Sequence, residues 1–217
     1  MLGSLLLVLI AIVVGSNFKQ GIWGNCLRLF AVITAALCAT NFCEPIGAAI
    51  ETAAPTTWQY GDFLGAWIIF VLVNFGLIYL SMKLSPVSVR FSNVIDQLGG
   101  VLLSAACGWV LVCFTLYTLH FAPVVREPLF GSFKAETPMF FGFYPDRMWL
   151  AFAQQASLGV YSNGDEKAAF DPQGDFLLRM IAKREQFEQA PGSFAPRIRR
   201  TAVVKKSTPT TPAPTGS

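Results

Sequence analysis

A chain of 217 residues with 53% hydrophobic and 13% charged side chains carries about half the charge usual in a soluble domain. Its formal net charge of +3 comes without any segment that interleaves base-stacking aromatics with dense Lys/Arg, so nucleic acid is excluded as a partner. Before Pro123 the only charged side chains are Lys19, Arg28, Lys83, Arg90, Glu44, Glu51, Asp62 and Asp96, whereas a soluble fold spreads charge over every surface element. The composition therefore reads as an integral membrane protein whose membrane domain ends near Ala122–Pro123.

The first apolar segment is Leu2–Val14. Thirteen residues rise only about 20 Å as a helix, short of a hydrocarbon core of about 30 Å. A signal peptide is the rival reading. No Lys or Arg precedes the run and no Ala-x-Ala-like site follows it, which favours a retained helix extending to about Phe18. Segment two is predicted to begin after Arg28 and to run from Leu29 to Phe42, or on to Ile50. Its Ala31, Ala35, Ala36 and Ala39 suit close helix contact. Glu44–Asp62, with Pro45 and Pro55, reads as a loop.

Segment three, Phe63–Met82, is uncharged, with Trp67 and Tyr79 placed for the interfaces. Near its middle Asn74 is the strongest intramembrane polar group, expected to make an interhelical hydrogen bond. Lys83–Gln97 is a polar connector. Segment four, Leu98–Ala122, is again uncharged. The expected fold is an all-α membrane protein of about four transmembrane helices over residues 1–122. The basic residues of the first and third loops place those loops in the cytoplasm and both termini outside.

Residues 123–190 are expected to form an extramembrane extension with amphipathic helices. Asp146 is positioned to cap one of them, with Met148, Trp149, Phe152 and Ala156 on a single face. Asp171-Pro172 opens another, followed by Phe176, Leu177, Met180 and Ile181 opposite Arg179, Lys183 and Arg184. Its apolar face is read as packed on the Trp149 helix in preference to the membrane surface. Residues 191–217 are basic, then Ser/Thr/Pro-rich, a composition expected to be disordered.

The search for chemistry returns no catalytic, cofactor or metal set. His120 is the only histidine, no Cys-x-x-Cys occurs among the five cysteines, and Asp165-Glu166, Asp171 and Asp175 lie in a turn-rich stretch. No cofactor is expected, and the chain reads as non-enzymatic. The spans hold no Asp, Glu, Lys or Arg, unlike most pumps and proton-coupled carriers.

One pattern is more specific. Asp96-Gln97-Leu98-Gly99-Gly100 opens segment four, and Gly100, Ser104 and Gly108 follow at four-residue spacing, along one helical stripe. Asp96, at or just before the helix start, is read as a carboxylate that accepts backbone N–H groups and complements the helix dipole. With Lys19-Gln20-Gly21-Ile22 after the first segment, these residues make residues 1–122 resemble the colicin V production protein (CvpA) family of bacterial inner-membrane proteins. That family typically has Asp-Arg, then Gly at the fourth, eighth and twelfth positions after the Asp. Here Gln97 replaces the Arg, Ser104 the second Gly, and Cys107 the Arg before the last Gly. The acid often found in the family's first span is missing.

The resemblance implies an inner-membrane, multi-pass protein linked to toxin (colicin V) production and export and to envelope homeostasis. It would act through helix packing, with the lipid bilayer, a homo-oligomer or other membrane proteins as partners. Gly21, Asp96, Gly99, Gly100, Ser104 and Gly108 would be its packing motif. The alternative is a small channel or carrier lined by Asn74 and the Gly100/Ser104/Gly108 stripe. A membrane-anchored hydrolase, as in relatives that fuse this domain to a serine protease, is disfavoured because the tail has no histidine.

Overall fold

The computed structural model describes residues 2–53, 60–84, 92–122, 142–159, 170–171, 174–176, 178–180 and 182. Five α-helices account for nearly all of them: α1 Leu2–Asn17, α2 Gly21–Ala53, α3 Gly61–Leu84, α4 Asn93–Leu119 and α5 Pro145–Leu158. A single 3₁₀ turn, Phe18–Gln20, joins α1 to α2. Among the described residues, three continuous runs are long and apolar enough to cross a membrane: Gly3–Ala53, Gly61–Leu84 and Asn93–Leu119. The four expected apolar segments are thus all helical, but the first two are fused into one run.

That run reverses at Gly21. Leu6 of α1 packs on Val112 and Leu116, with Leu9, Ile10 and Leu119 around them, and the backbone of Ile10 lies against Gly108. Gly21 then meets Gly100, while Cys43, much later in α2, reaches Tyr117. So α1 runs antiparallel to α4 and α2 runs parallel to it. At 16 residues α1 is about 24 Å long, which leaves it shorter than the hydrocarbon core.

Two boundaries differ from the sequence expectation. Helix α2 begins at Gly21, not after Arg28, and continues through Pro45 to Ala53. Pro45 lacks the N–H for one helical hydrogen bond, yet the helix persists because α3 closes on it there. A Cβ on Gly65 would stand 3.1 Å from the Cys43 carbonyl, and one on Gly61 would stand 2.9 Å from the Gly47 carbonyl. These small residues let two backbones approach and hold α2 in a shape that its proline alone would loosen. The expected Glu44–Asp62 loop is instead helical over Glu44–Ala53 and again from Gly61; residues 54–59 lie outside the described residues.

The main core sits where α2, α3 and α4 converge. Phe114 is fully buried and meets Phe70 at 4.9 Å, Trp67 at 5.6 Å and Trp149 of α5 at 6.0 Å between ring centroids. Offset and edge-on aromatic contacts at such separations each add about 0.5–1.5 kcal/mol beyond burial. The expected face of α5 is rotated: Pro145, Asp146, Trp149 and Ala153 are buried, while Met148 and Phe152 point outward. Asp146, in buried contact with His120, and Trp149, bonded to Thr40 and packed on Phe114, hold that side of the helix inward. Phe176 stacks on Tyr117 at 5.3 Å, so this part of the chain packs on the end of α4. Leu177, Ile181, Lys183, Arg184 and the expected disordered residues 191–217 lie outside the described residues.

Candidate functional site: the clasp between α2 and α4

The first turn of any helix leaves backbone N–H groups without intrahelical partners. Those of α2 begin at Gly21, whose φ of 67° is a left-handed conformation that only glycine adopts without strain. This residue makes the reversal between α1 and α2. The Ile22 amide that follows donates to the Asp96 Oδ1 carboxylate oxygen at 2.9 Å. Asp96 itself lies in the first turn of α4, whose N-cap residue is Ser92. Its carboxylate therefore serves the start of α2, an opposite-charge contact with the positive end of that helix dipole.

The pair fits without spare room. A Cβ at position 21 would stand 2.3 Å from Asp96 Oδ2, closer than any real contact. One at Gly100 would stand 3.2 Å from the Gly21 carbonyl carbon, and one at Gly99 2.5 Å from the Ile22 side chain. Farther along, Ser104 is fully buried, with its hydroxyl donating to the Val101 carbonyl at 3.0 Å, and Gly108 holds the Ile10 backbone 3.2 Å from where its Cβ would be. The stripe thus gathers both arms of the α1–α2 reversal onto one helix.

Side chains not singled out from the sequence complete the clasp. Asn25 is 1% exposed, and its Nδ2 donates to the carbonyls of Gly21 at 2.9 Å and Asn17 at 3.2 Å. Arg28 donates to Asn17 Oδ1, and Asn17 Nδ2 to the Val13 carbonyl at 2.8 Å. The end of α1 is therefore tied to the second turn of α2. The available sequence signal was two asparagines, four residues to either side of Gly21, in the short polar interruption between two apolar segments. Gln97 is exposed and Cys107 buried.

The remaining expected site residue, Asn74, is distant from the clasp, in α3. Its Oδ1 is buried with no hydrogen-bond partner among the described residues. At the opposite end of the bundle His120 Nε2 donates to Asp146 Oδ2 at 2.9 Å, and Trp149 Nε1 donates to Thr40 Oγ1 at 3.0 Å. Burial alone would push the Asp146 carboxyl up, but the His120 hydrogen bond and charge outweigh it and hold the group below the ordinary aspartate value. Together these contacts pin α5 to α4 and α2.

No curated protein and no solved structure matches the chain. Residues 2–136, well over half of the sequence, match the family described as Colicin V production protein. The matched stretch holds the whole clasp, the reversal at Gly21 and all four apolar helices, and the chain belongs to that family.

Proposed function

We propose that the protein is a non-enzymatic inner-membrane component that supports toxin export and envelope homeostasis by presenting a fixed helix assembly to protein partners. The observation that carries this reading is the Asp96 carboxylate on the Ile22 amide, with Gly100 closed on Gly21. In the clasp the Asp96 carboxylate and the Asn25 and Asn17 amide N–H groups serve backbone groups at helix ends, a role in assembly that needs no substrate. Normal accumulation and normal envelope resistance in cells carrying Gly100→Leu and Gly108→Leu together would contradict it.

A membrane orientation accompanies this proposal. Lys19 and Arg28 lie at the reversal, and Lys83 lies in the last turn of α3 at the same end of the bundle, while Glu44, Glu51 and Asp62 gather at the other end. The basic end is cytoplasmic by the positive-inside rule, which puts both termini outside. A compartment-specific reporter fused at Gly192 tests this, and a cytoplasmic signal contradicts it.

A second reading is favoured by the buried, unpartnered Asn74 Oδ1. In this reading the protein is a small channel or carrier that uses Asn74; the Gly100, Ser104 and Gly108 stripe, closed here on Gly21 and Ile10, would line the path only after α1 and α2 move off it. Solute flux in liposomes that is abolished by Asn74→Leu supports it. Absence of flux for every solute class leaves the assembly reading.

A further inference from the structure

Helix α5 turns a mostly apolar stripe outward, with Arg147 at its start and Gln155 near its end as the exposed polar side chains. Pro145, Asp146, Trp149 and Ala153 are buried inward. Outward, Met148, Ala151, Phe152, Gln155 and Leu158 follow at the three- and four-residue steps of a single stripe. Met148, Phe152 and Leu158 are 47%, 44% and 45% exposed. The polar side chains of α5 are largely engaged elsewhere: Asp146 with His120, Gln154 with the Asp171 carbonyl, and Ser157 with the Phe170 amide. An amphipathic helix that exposes Met148, Phe152 and Leu158 between a terminal arginine and a glutamine is suited to the boundary between acyl chains and headgroups.

Its level in the bundle agrees. Trp149 contacts Phe114, which stands five residues before the end of α4, or about 7 Å along the axis. Phe114 also meets Trp67, six residues into α3, and Trp149 bonds to Thr40 of α2, thirteen residues before that helix ends. Trp149, in the second turn of α5, therefore sits inside the ends of all three long helices. At its start the Arg147 guanidinium lies 4.8 Å from the Tyr144 ring centroid, an aromatic–cation pair suited to a headgroup boundary.

We propose that the Met148–Phe152 stripe of α5 is seated in the lipid bilayer, at the boundary between acyl chains and headgroups. This rests on the membrane reading of the chain and extends it beyond the four apolar segments. Helix α5 is then part of the membrane-embedded body, and not of a water-exposed module. The lipid-facing surface of α3, with Leu72 and Phe75 outward at 67% and 66% exposed, supplies the internal standard.

The test uses the full chain in vesicles of phosphatidylethanolamine and phosphatidylglycerol doped with a phospholipid that carries an acyl-chain diazirine. After irradiation, adducts are mapped by peptide mass spectrometry. Adducts at Met148 and Phe152, in yield of the same order as at Leu72 and Phe75, are expected. Met148→Ser with Phe152→Ser should lower the α5 yield and leave α3 unchanged. Labelling of α3 alone overturns the proposal, whether water, a second copy or another protein covers the stripe. Labelling of neither helix would instead contradict the membrane reading itself.

Discussion

The Asp96 carboxylate and the Ile22 amide, 2.9 Å apart, join two helices that are distant in sequence. One residue thereby sets where α2 begins and how closely α4 approaches it. An acid at the N-terminus of a helix is ordinary; here it is borrowed from a neighbouring helix, so the cap is also a tertiary contact.

Removing that cap should weaken the protein without unfolding it. A lost N-cap costs about 0.5–2 kcal/mol, and in a chain of this size each kcal/mol lowers the melting temperature by about 2–4 °C. Asp96→Leu should lie at the upper end in detergent melting curves, and Asp96→Asn at the lower, since its amide oxygen still accepts a hydrogen bond. Melting temperatures equal to the parent for both would show that the cap carries no stability.

The stripe should rank by what each new side chain meets. Gly100→Ala pushes on Gly21 backbone and Gly108→Ala on Ile10 backbone, both at 3.2 Å, and backbone yields less than a flexible side chain. Overpacking of this kind costs about 1–3 kcal/mol. Gly76→Ala, where nothing lies within 4 Å, should be neutral or slightly stabilising, because alanine favours a helix by about 0.8–1 kcal/mol over glycine. Equal losses at all three positions would contradict the packing account.

Much of this fold was legible in the sequence. The four apolar segments, the small residues of α2 and the Gly100–Ser104–Gly108 register could be read from hydropathy and spacing, which are local properties. The start of α2 could not. Arg28 reads as a loop charge until Asn17, brought back by the reversal at Gly21, accepts its hydrogen bond. Asp96 was legible as a helix-start acid, but which helix it serves depends on a contact across the bundle. The same limit applies to His120, which meets Asp146 only once α5 folds back over the end of α4.

The docking of α5 should depend on pH in one direction. Asp146 is held below the ordinary aspartate value of 3.8, so the folded state favours its charged form. The stabilisation is present above that value and is lost as pH falls through the lowered one. Amide exchange in α5 should stay protected down to about pH 4 and rise only in stronger acid. Asp146→Asn should remove the acid step, and an unchanged exchange profile in that variant would contradict the assignment.

Trp149 should matter more for its ring than for its hydrogen bond. Trp149→Phe removes the bond to Thr40 Oγ1 at about 0.5–1.5 kcal/mol. Trp149→Ala empties a fully packed site against Phe114 at about 3–5 kcal/mol. Protease sensitivity of α5 in the folded protein orders the two variants, and the reverse order would place the weight on the indole N–H.

The most direct measurement is a double-mutant cycle between Gly21 and Asp96, read as melting temperature in one detergent. Gly21→Ala sets a Cβ 2.3 Å from Asp96 Oδ2 and also strains a left-handed backbone. With Asp96→Gly the collision disappears and only the strain remains. The loss from Gly21→Ala should therefore shrink by about 1 kcal/mol or more in the Asp96→Gly background, since contacting residues couple by about 0.5–3 kcal/mol. Strictly additive losses would contradict the clasp.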